Sequence, residues 1–276
     1  MESHHEFDIQ LQCRILGVSK SGFYDWRSRP LSNREQSDTA LVPKLVECFK
    51  QSQNTYGVRR LTDDLNDLGE DVNHKRVARL KQEYDIYPKQ HKKFVVTTDS
   101  THDRAVAKNV LDRQFTVNKP NSVWVSDITY IGTATGWVYL ATIIDLYSRM
   151  IIGWQLANHM RSSLVCEAID NAQQRRGCLP ELFHSDRGSQ YVSDEVETKL
   201  RTVKISMSRK GNCWDNAVAK SFFGTLKTEH VNHDHYKNIE EARISLFQYI
   251  EGFYNRKRRH SHLGNISPLK FEQMTA

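Results

Sequence analysis

Asp127 and Asp186 are the residues of this chain best suited by type and setting to do chemistry. Asp127 interrupts the apolar run Trp124-Val125-Ser126-Asp127-Ile128-Thr129-Tyr130, and Asp186 closes another, Phe183-His184-Ser185-Asp186. Carboxylates brought together by neighbouring strands can hold Mg²⁺ or Mn²⁺, hard ions that take oxygen ligands and leave room for water and phosphate oxygens. Two such ions about 4 Å apart stabilise both the attacking and the leaving oxygen of an in-line displacement at phosphorus. The chemistry suggested is metal-assisted phosphoryl transfer. Sites of this kind usually want a third carboxylate. The segment in which to look for it, Asp215-Asn216-Ala217-Val218-Ala219-Lys220-Ser221-Phe222-Phe223, reads as a helix and offers Lys220. A turn or capping role is the plainer reading of any single strand-end aspartate. Two of them with these flanks weaken it.

The elements that must position these residues begin at about residue 121. Residues 123–131 and 137–147 read as neighbouring strands joined by a turn from Gly132 to Gly136, and 150–157 as a third strand. Leu164, Val165, Ala168, Ile169 and Ala172 recur at helical spacing and predict an amphipathic helix over 163–176. A short strand over 182–184, a helix over 195–201, a strand over 203–207 and helices over 215–231 and 239–256 follow. The order βββαβαβα is that of an α/β layer fold with a mixed sheet. If the first and fourth strands are adjacent, Asp127 and Asp186 converge. Asp145, at the end of the second strand, suits a turn or network role, and His184 could support the site from behind Asp186. The spacing of His230, His233 and His235 fits no familiar zinc pattern.

Ahead of the sheet the chain reads as helical. In residues 1–35, Gly17 can end one short helix and Ser19 cap the next. Ile15, Leu16, Val18, Phe23 and Trp26 would form an apolar seam, with Pro30 and Ser32-Asn33-Arg34 as a linker. Residues 41–87 form a second helical region. Within it Val58–Leu68, the stop at Gly69 and a helix capped by Asn73 give helix, tight turn, basic helix. Val77, Leu80, Lys81 and Tyr84 share one face, while Lys75, Arg76 and Arg79 lie largely off it. That is the layout of a helix-turn-helix whose second helix enters the major groove. An ordinary helical hairpin with a solvated basic face has the same pattern. Residues 88–118 form a connector, basic at Lys89, Lys92 and Lys93, and residues 119–276 the region of the sheet.

The 276 residues suffice for one large domain or a few small ones. With 38% hydrophobic and 26% charged residues the chain is expected to be globular and soluble. No apolar run approaches the roughly 18 residues of a membrane span. Met1-Glu2-Ser3-His4-His5-Glu6 lacks the basic start and apolar stretch of a signal peptide, so a cytoplasmic protein is expected. A net charge of +6 and a pI of about 9.0 favour a polyanionic partner. The five cysteines are scattered without a CxxC pair and read as reduced thiols.

Three segments carry a resemblance to a known family: Trp124–Tyr130, His184-Ser185-Asp186-Arg187-Gly188-Ser189-Gln190-Tyr191, and Ser206–Ala217 with its Arg209-Lys210-Gly211-Asn212-Cys213-Trp214-Asp215-Asn216. They closely resemble the catalytic core of bacterial insertion-sequence transposases, the second-reading-frame product of the IS-three family, relatives of retroviral integrases. Cys13–Trp26 resembles that family's N-terminal segment, Tyr56–Arg60 with Val72–Leu80 its helix-turn-helix, and Phe253–Gly264 followed by Ser267-Pro268 its C-terminal signature. The resemblance runs in order over nearly the whole chain. It implies a ribonuclease-H-like sheet flanked by helices behind a small helical region. The implied activity is metal-dependent DNA cleavage and strand transfer at element ends. Water first frees a 3′-hydroxyl, which then attacks another phosphodiester. Asp127 and Asp186 would be metal ligands for two Mg²⁺ or Mn²⁺ ions. Implied partners are double-stranded DNA (terminal repeats and target), the first-reading-frame protein and further copies of the chain, in a cytoplasmic, nucleoid-associated setting. The chain starts near the usual beginning of the second frame, so a frameshift fusion is not expected within it. Lys75, Arg76, Arg79, Arg209, Lys210, Arg256, Lys257, Arg258 and Arg259 are the expected DNA contacts, with no further cofactor.

Two departures from the family pattern stand out. Lys220 occupies the place of the expected glutamate, and a protonated amine does not ligate a metal ion. Asn216 and Lys227 lie near the same helical face, Asp215 is well round the helix, and Glu229 is roughly 13 Å further along the axis. Between Asp186 and Lys220 there are 33 residues where the family pattern has about 35, the shortfall falling between Tyr191 and Ser206. The expectation is a transposase-family protein with impaired catalysis; the alternative is an inactive relative that only binds DNA.

Overall fold

Five helices precede the sheet. In the computed structural model, which describes residues 8–89 and 106–275 apart from the Cys213 side chain, they are α1 (Ile9–Leu16), α2 (Lys20–Ser28), α3 (Asn33–Gln51), α4 (Val58–Asp67) and α5 (His74–Glu83). Met1–Glu6 and the expected basic positions Lys92 and Lys93 lie outside the described residues. Ser19 caps α2 by accepting from the Gly22 amide, and Asn73 caps α5 by accepting from the Arg76 amide. Between α4 and α5, Gly69 takes a φ of +86°, which a side chain would strain.

Two expectations need correction here. Residues 32–34 are not linker: Ser32 and Glu35 form a reciprocal capping box that starts α3 at Asn33, ahead of the expected 41. Ile15, Leu16, Val18 and Trp26 do not make a seam. They stand 75%, 73%, 50% and 67% exposed, and only Cys13 is buried in this hairpin. Two short helices have too little facing surface to bury these side chains by themselves.

The sheet follows. Strands β1 (Val123–Thr133), β2 (Gly136–Asp145) and β3 (Ile151–Ala157) form an antiparallel meander; β4 (Leu182–Ser185) runs parallel to β1, and β5 (Lys204–Met207) parallel to β4. The spatial order β3-β2-β1-β4-β5 puts β1 at the centre beside β4, so the condition for convergence of Asp127 and Asp186 is met. Helix α6 (Ser162–Arg176) links β3 to β4, α7 (Asp194–Lys199) links β4 to β5, and α8 (Ala217–Glu229) follows a 3-10 turn at Cys213–Asn216. Helix α9 (Ile239–Phe247) continues into a π-helical stretch, Gln248–Tyr254, where one uninterrupted helix was expected. Helix α10 (Pro268–Thr275) closes the chain. This mixed five-stranded sheet with helices on both faces is the expected ribonuclease-H-like class.

Alternation along β1 decides which helix each side chain meets. Trp124 packs with Ile143, Ile152 and the α6 residues Leu164, Ala168 and Ala172 on one face. Val125 and Ile131 pack with Phe222, Phe223 and Leu226 of α8 on the other. Leu61 and Leu65 of α4 and Leu80 of α5 belong to that second core, which is continuous from the leading helices to the sheet. Among the described residues no helix is long and apolar enough to cross a membrane.

Candidate active site

Asp127 lies two residues beyond Val125 on β1, and Asp186 two residues beyond His184 on β4. Val125 and His184 are direct partners in the parallel ladder. Asp127 therefore sits on β1 beside the point where β4 ends and Asp186 follows, in strands whose spacing is about 4.8 Å. By alternation Asp127 shares the face of Val125, which is the face covered by α8. It is buried, and its Oδ1 accepts from the Ile128 amide at 2.9 Å. Burial, and next the Asp186 charge, push its carboxyl up to about 8, against the opposing pull of Lys220 and Lys227. Asp186, half-buried, accepts from the Gly188 amide at 2.9 Å and so turns the chain away from β4. A Cβ on Gly188 would sit 3.1 Å from that same Asp186 oxygen.

Helix α8 is fastened to β1 beside Asp127. Asn216 donates from Nδ2 to the Ser126 carbonyl at 3.0 Å, and its Oδ1 is buried without a hydrogen-bond partner. One turn on, Lys220 is exposed, with its ammonium near enough to Asp127 to act on it electrostatically. Two turns further, Lys227 stacks 4.3 Å from the Tyr130 ring centroid and acts on the same carboxyl. Asp186, Lys220 and Lys227 thus all act on the Asp127 carboxyl. On the opposite side of β1, the Tyr191 hydroxyl and Ser126 Oγ lie 2.8 Å apart, and burial holds the phenol well above its ordinary value.

The 3-10 turn that precedes α8 is held by Asp215. This wholly buried carboxylate accepts from the Arg209 amide at 2.9 Å and from Arg209 Nε and Nη2 at 2.8 and 2.7 Å. Arg113 Nε and Asn109 Nδ2 donate to it at 2.9 Å each. The pairing with Arg209 holds its carboxyl well below the usual range. Ser206 Oγ accepts from the Val110 and Leu111 amides at 2.9 and 3.1 Å and lies 2.9 Å from His184 Nδ1. Burial brings His184 down to about 4, so its ring is neutral near pH 7. Both groups fix the segment after residue 105 against the sheet. Asp145 is buried and accepts from the Asn121 and Tyr147 amides and from Arg176, which is the network role expected for it.

The expected DNA contacts divide by exposure. Lys75, Arg209, Lys210, Arg256 and Lys257 are exposed. Arg76 and Arg79 instead clasp Asp38 of α3 at 2.8 and 2.5 Å, and Arg79 also meets Glu83 at 3.0 Å. Arg209 is drawn to Asp215 and Asp112. Arg258 is buried against Glu229, and Arg259 turns inward to Asp64 and Asp67. For Arg258 the expectation of phosphate contact does not fit, because a buried paired guanidinium does not reach a duplex. The clamp role of Asn216, the Tyr191 hydroxyl and the anchoring by Asp215 were not among the expected features of the site. A polar pair just ahead of an apolar helix was the available signal for Asn216 and Asp215.

Asp127 and Asp186 offer hard oxygen donors whose mutual repulsion a divalent cation would relieve. Their chemistry fits one such ion.

Sequence comparison supplies the context for this geometry. Two family models described as "Integrase core domain" match residues 117–213 and 201–268, and one described as "HTH-like domain" matches 36–94. The chain is 43% identical over 264 residues to an insertion element IS600 uncharacterized 31 kDa protein of Shigella sonnei, covering 95% of this chain and 97% of that one. It is 39% identical over 278 residues to the transposase InsF for insertion sequence IS3A of Escherichia coli (strain K12), covering 99% and 96%. Among solved structures, a simian T-cell lymphotropic virus intasome chain matches at 15% identity with a TM-score of 0.47, covering 78% of this chain and 70% of that chain.

Proposed function

The chain belongs to the IS-three family of insertion-sequence transposases, with an integrase core behind an HTH-like region, and from that premise we propose that it binds DNA at element ends and carries a cleavage and strand-transfer site weakened by Lys220. The observation that supports the reading is that Lys220 stands exposed on α8 one turn beyond Asn216, which ties the start of that helix to the β1 backbone next to Asp127. The HTH-like helices and the exposed Lys75, Lys210, Arg256 and Lys257 would meet the duplex, whose phosphates favour such cations. Several copies on paired ends, and a first-reading-frame partner, belong to the same reading.

Asp127 and Asp186 would hold a divalent ion, which when bound supplies Lewis-acid stabilisation of the oxygen charge that develops in phosphodiester displacement. The chain's own part is positional. The parallel pairing of β1 with β4 brings the two carboxylates to adjacent strands' ends, Asn216 fixes α8 against β1, and the Gly188 turn aims Asp186. Lys220 changes the balance. Its ammonium takes up part of the negative charge that would retain the ion, and it donates hydrogen bonds where a glutamate would accept. It can hold a phosphate oxygen as a point charge, so binding to DNA persists where cleavage is lost. The exposed Lys220 needs no repacking to become glutamate.

The test is nicking of a supercoiled plasmid bearing the ends of the chain's own element, in Mg²⁺ or Mn²⁺, by the chain and by Lys220→Glu. The variant should nick on the order of 10²-fold faster. Equal rates would overturn the reading. Retained binding of the end sequence by an inactive chain would favour the DNA-binding role alone.

A further inference from the structure

The end of α8 remote from Lys220 carries a polar cluster that the candidate site does not use. Glu229 is the last residue of the helix and is buried. Arg258 grips it with two parallel bonds, Nε to Oε2 at 2.7 Å and Nη2 to Oε1 at 2.6 Å. The Tyr249 hydroxyl donates to Oε2 at 2.9 Å, and Arg60 of α4 reaches Oε1 at 3.8 Å. Lys89 donates to the Glu229 carbonyl at 3.1 Å. Arg259 lies beside this group. Its Nε meets Asp64 Oδ1 and its Nη2 meets Asp67 Oδ2, both at 2.6 Å and both on α4. Its amide donates to the Tyr56 hydroxyl at 2.7 Å. Leu61 and Leu65 of α4 share an apolar core with Phe222 and Leu226 of α8 and with Tyr249 and Phe253.

These bonds run between three parts of the chain far apart in sequence. Residues 56–89 supply Tyr56, Arg60, Asp64, Asp67 and Lys89, helix α8 supplies Glu229, and the segment after the π-helical stretch supplies Arg258 and Arg259. Bidentate charge-assisted pairs fix orientation as well as separation. A helix held rigidly at its last residue transmits a tilt to its first turns, and the first turns of α8 carry Asn216 and Lys220 beside Asp127. We propose that Glu229, Arg258 and Arg259 are positioning residues: they form a joint that sets the direction of α8, and so the relation of its N-terminal half to Asp127 and Asp186, according to how α4 is seated. A duplex bound to the HTH-like helices would then act on the aspartate pair through Arg60 and Arg259. That last use rests on the function proposed above; the joint itself does not.

The test therefore uses the full chain without DNA or metal. Amide hydrogen exchange is compared between the chain and Asp64→Asn/Asp67→Asn, which removes two charges from α4 and leaves Arg259 its bonds to Tyr56 and to the Asn265 carbonyl. The hydrogen bonds of both aspartates go to Arg259 and not to α8. Exchange over residues 217–224, in the half of α8 that carries Lys220, should rise about tenfold while β1, β2 and β3 keep their rates. A brace of purely local effect would move only α4 and residues 256–260, and that result would overturn the proposal. A proportionate rise everywhere, strands included, would overturn it too, because it would report lost stability. Arg60→Gln, which loosens the second connection, should give the same pattern at smaller amplitude. A chain inert on DNA answers this test as well as an active one, so its outcome and that of the nicking assay are independent.

Discussion

Asp215 is buried and charged because Arg209, Arg113 and Asn109 all donate to it. Asp215→Asn keeps the shape, removes the charge and turns one acceptor into a donor facing guanidinium groups. The two arginines are about half exposed and can rehydrate, so the cost should be about 2 kcal/mol, read as a lower urea midpoint at unchanged m-value. A midpoint within error of the parent would remove Asp215 as the anchor of α8. His260 gives a pH signature. Burial, reinforced by Arg258, Arg60, Arg149 and His262, brings it down to about 2. The unfolded chain takes up that proton near pH 6.5, and the folded chain does not. The contribution of His260 to stability is therefore whole above pH 6.5 and declines as pH falls toward the folded value. Between pH 6.5 and 5.0 the decline should be about 2 kcal/mol. Urea unfolding at the two pH values should show a smaller loss in His260→Gln than in the parent, and equal losses would discharge His260 from this role.

Elements were legible where burial alternates with the period of the structure. Strand β1 was readable because Val125 and Ile131 face one core while Trp124 faces the other. Helix α6 was readable because Leu164, Ala168 and Ala172 recur on one side. The convergence of Asp127 and Asp186 followed from strand adjacency, which the βββαβ order suggests and the parallel ladder supplies. Long-range partners were not legible. Nothing near Arg258 in sequence announces Glu229, and nothing near Ile15 or Trp26 announces that these side chains stay outside. The close contact between α6 and β3 was also hidden, although it depends on one residue. A Cβ at Gly153 would lie 2.3 Å from the Ala168 carbonyl and 2.6 Å from the Ala172 amide, both backbone atoms with no freedom to yield. Gly153→Ala should force the helix off the sheet at a cost of about 3 kcal/mol. Thermal unfolding should then come several degrees lower, and an unchanged midpoint would mean that the helix can shift freely.

At the scale of the whole molecule the net charge of +6 says less than its distribution. The run Arg256-Lys257-Arg258-Arg259 looks uniform in sequence, yet the backbone after the π-helical stretch sends the first two side chains outward and the last two inward. Two basic residues are thus exposed to solvent and two hold the leading helices to the core. The division predicts opposite phenotypes from adjacent substitutions. Arg256→Ala and Lys257→Ala should weaken duplex binding on every sequence alike, each reducing the slope of log K against log salt by about 1. Neither should alter the urea midpoint. Arg258→Ala should leave that slope as it is and cost about 3–5 kcal/mol of stability, because Glu229 would remain buried without its bidentate partner. Fluorescence anisotropy on an element-end duplex and on an unrelated duplex of equal length, titrated with salt, measures the first pair; urea unfolding measures the third. If Arg256→Ala leaves the salt slope unchanged, the exposed half of the run does not meet phosphate, and the positive charge that serves DNA must be sought at Lys75 and Lys210. If Arg258→Ala lowers the slope and spares the stability, the joint between α4 and α8 does not depend on this arginine.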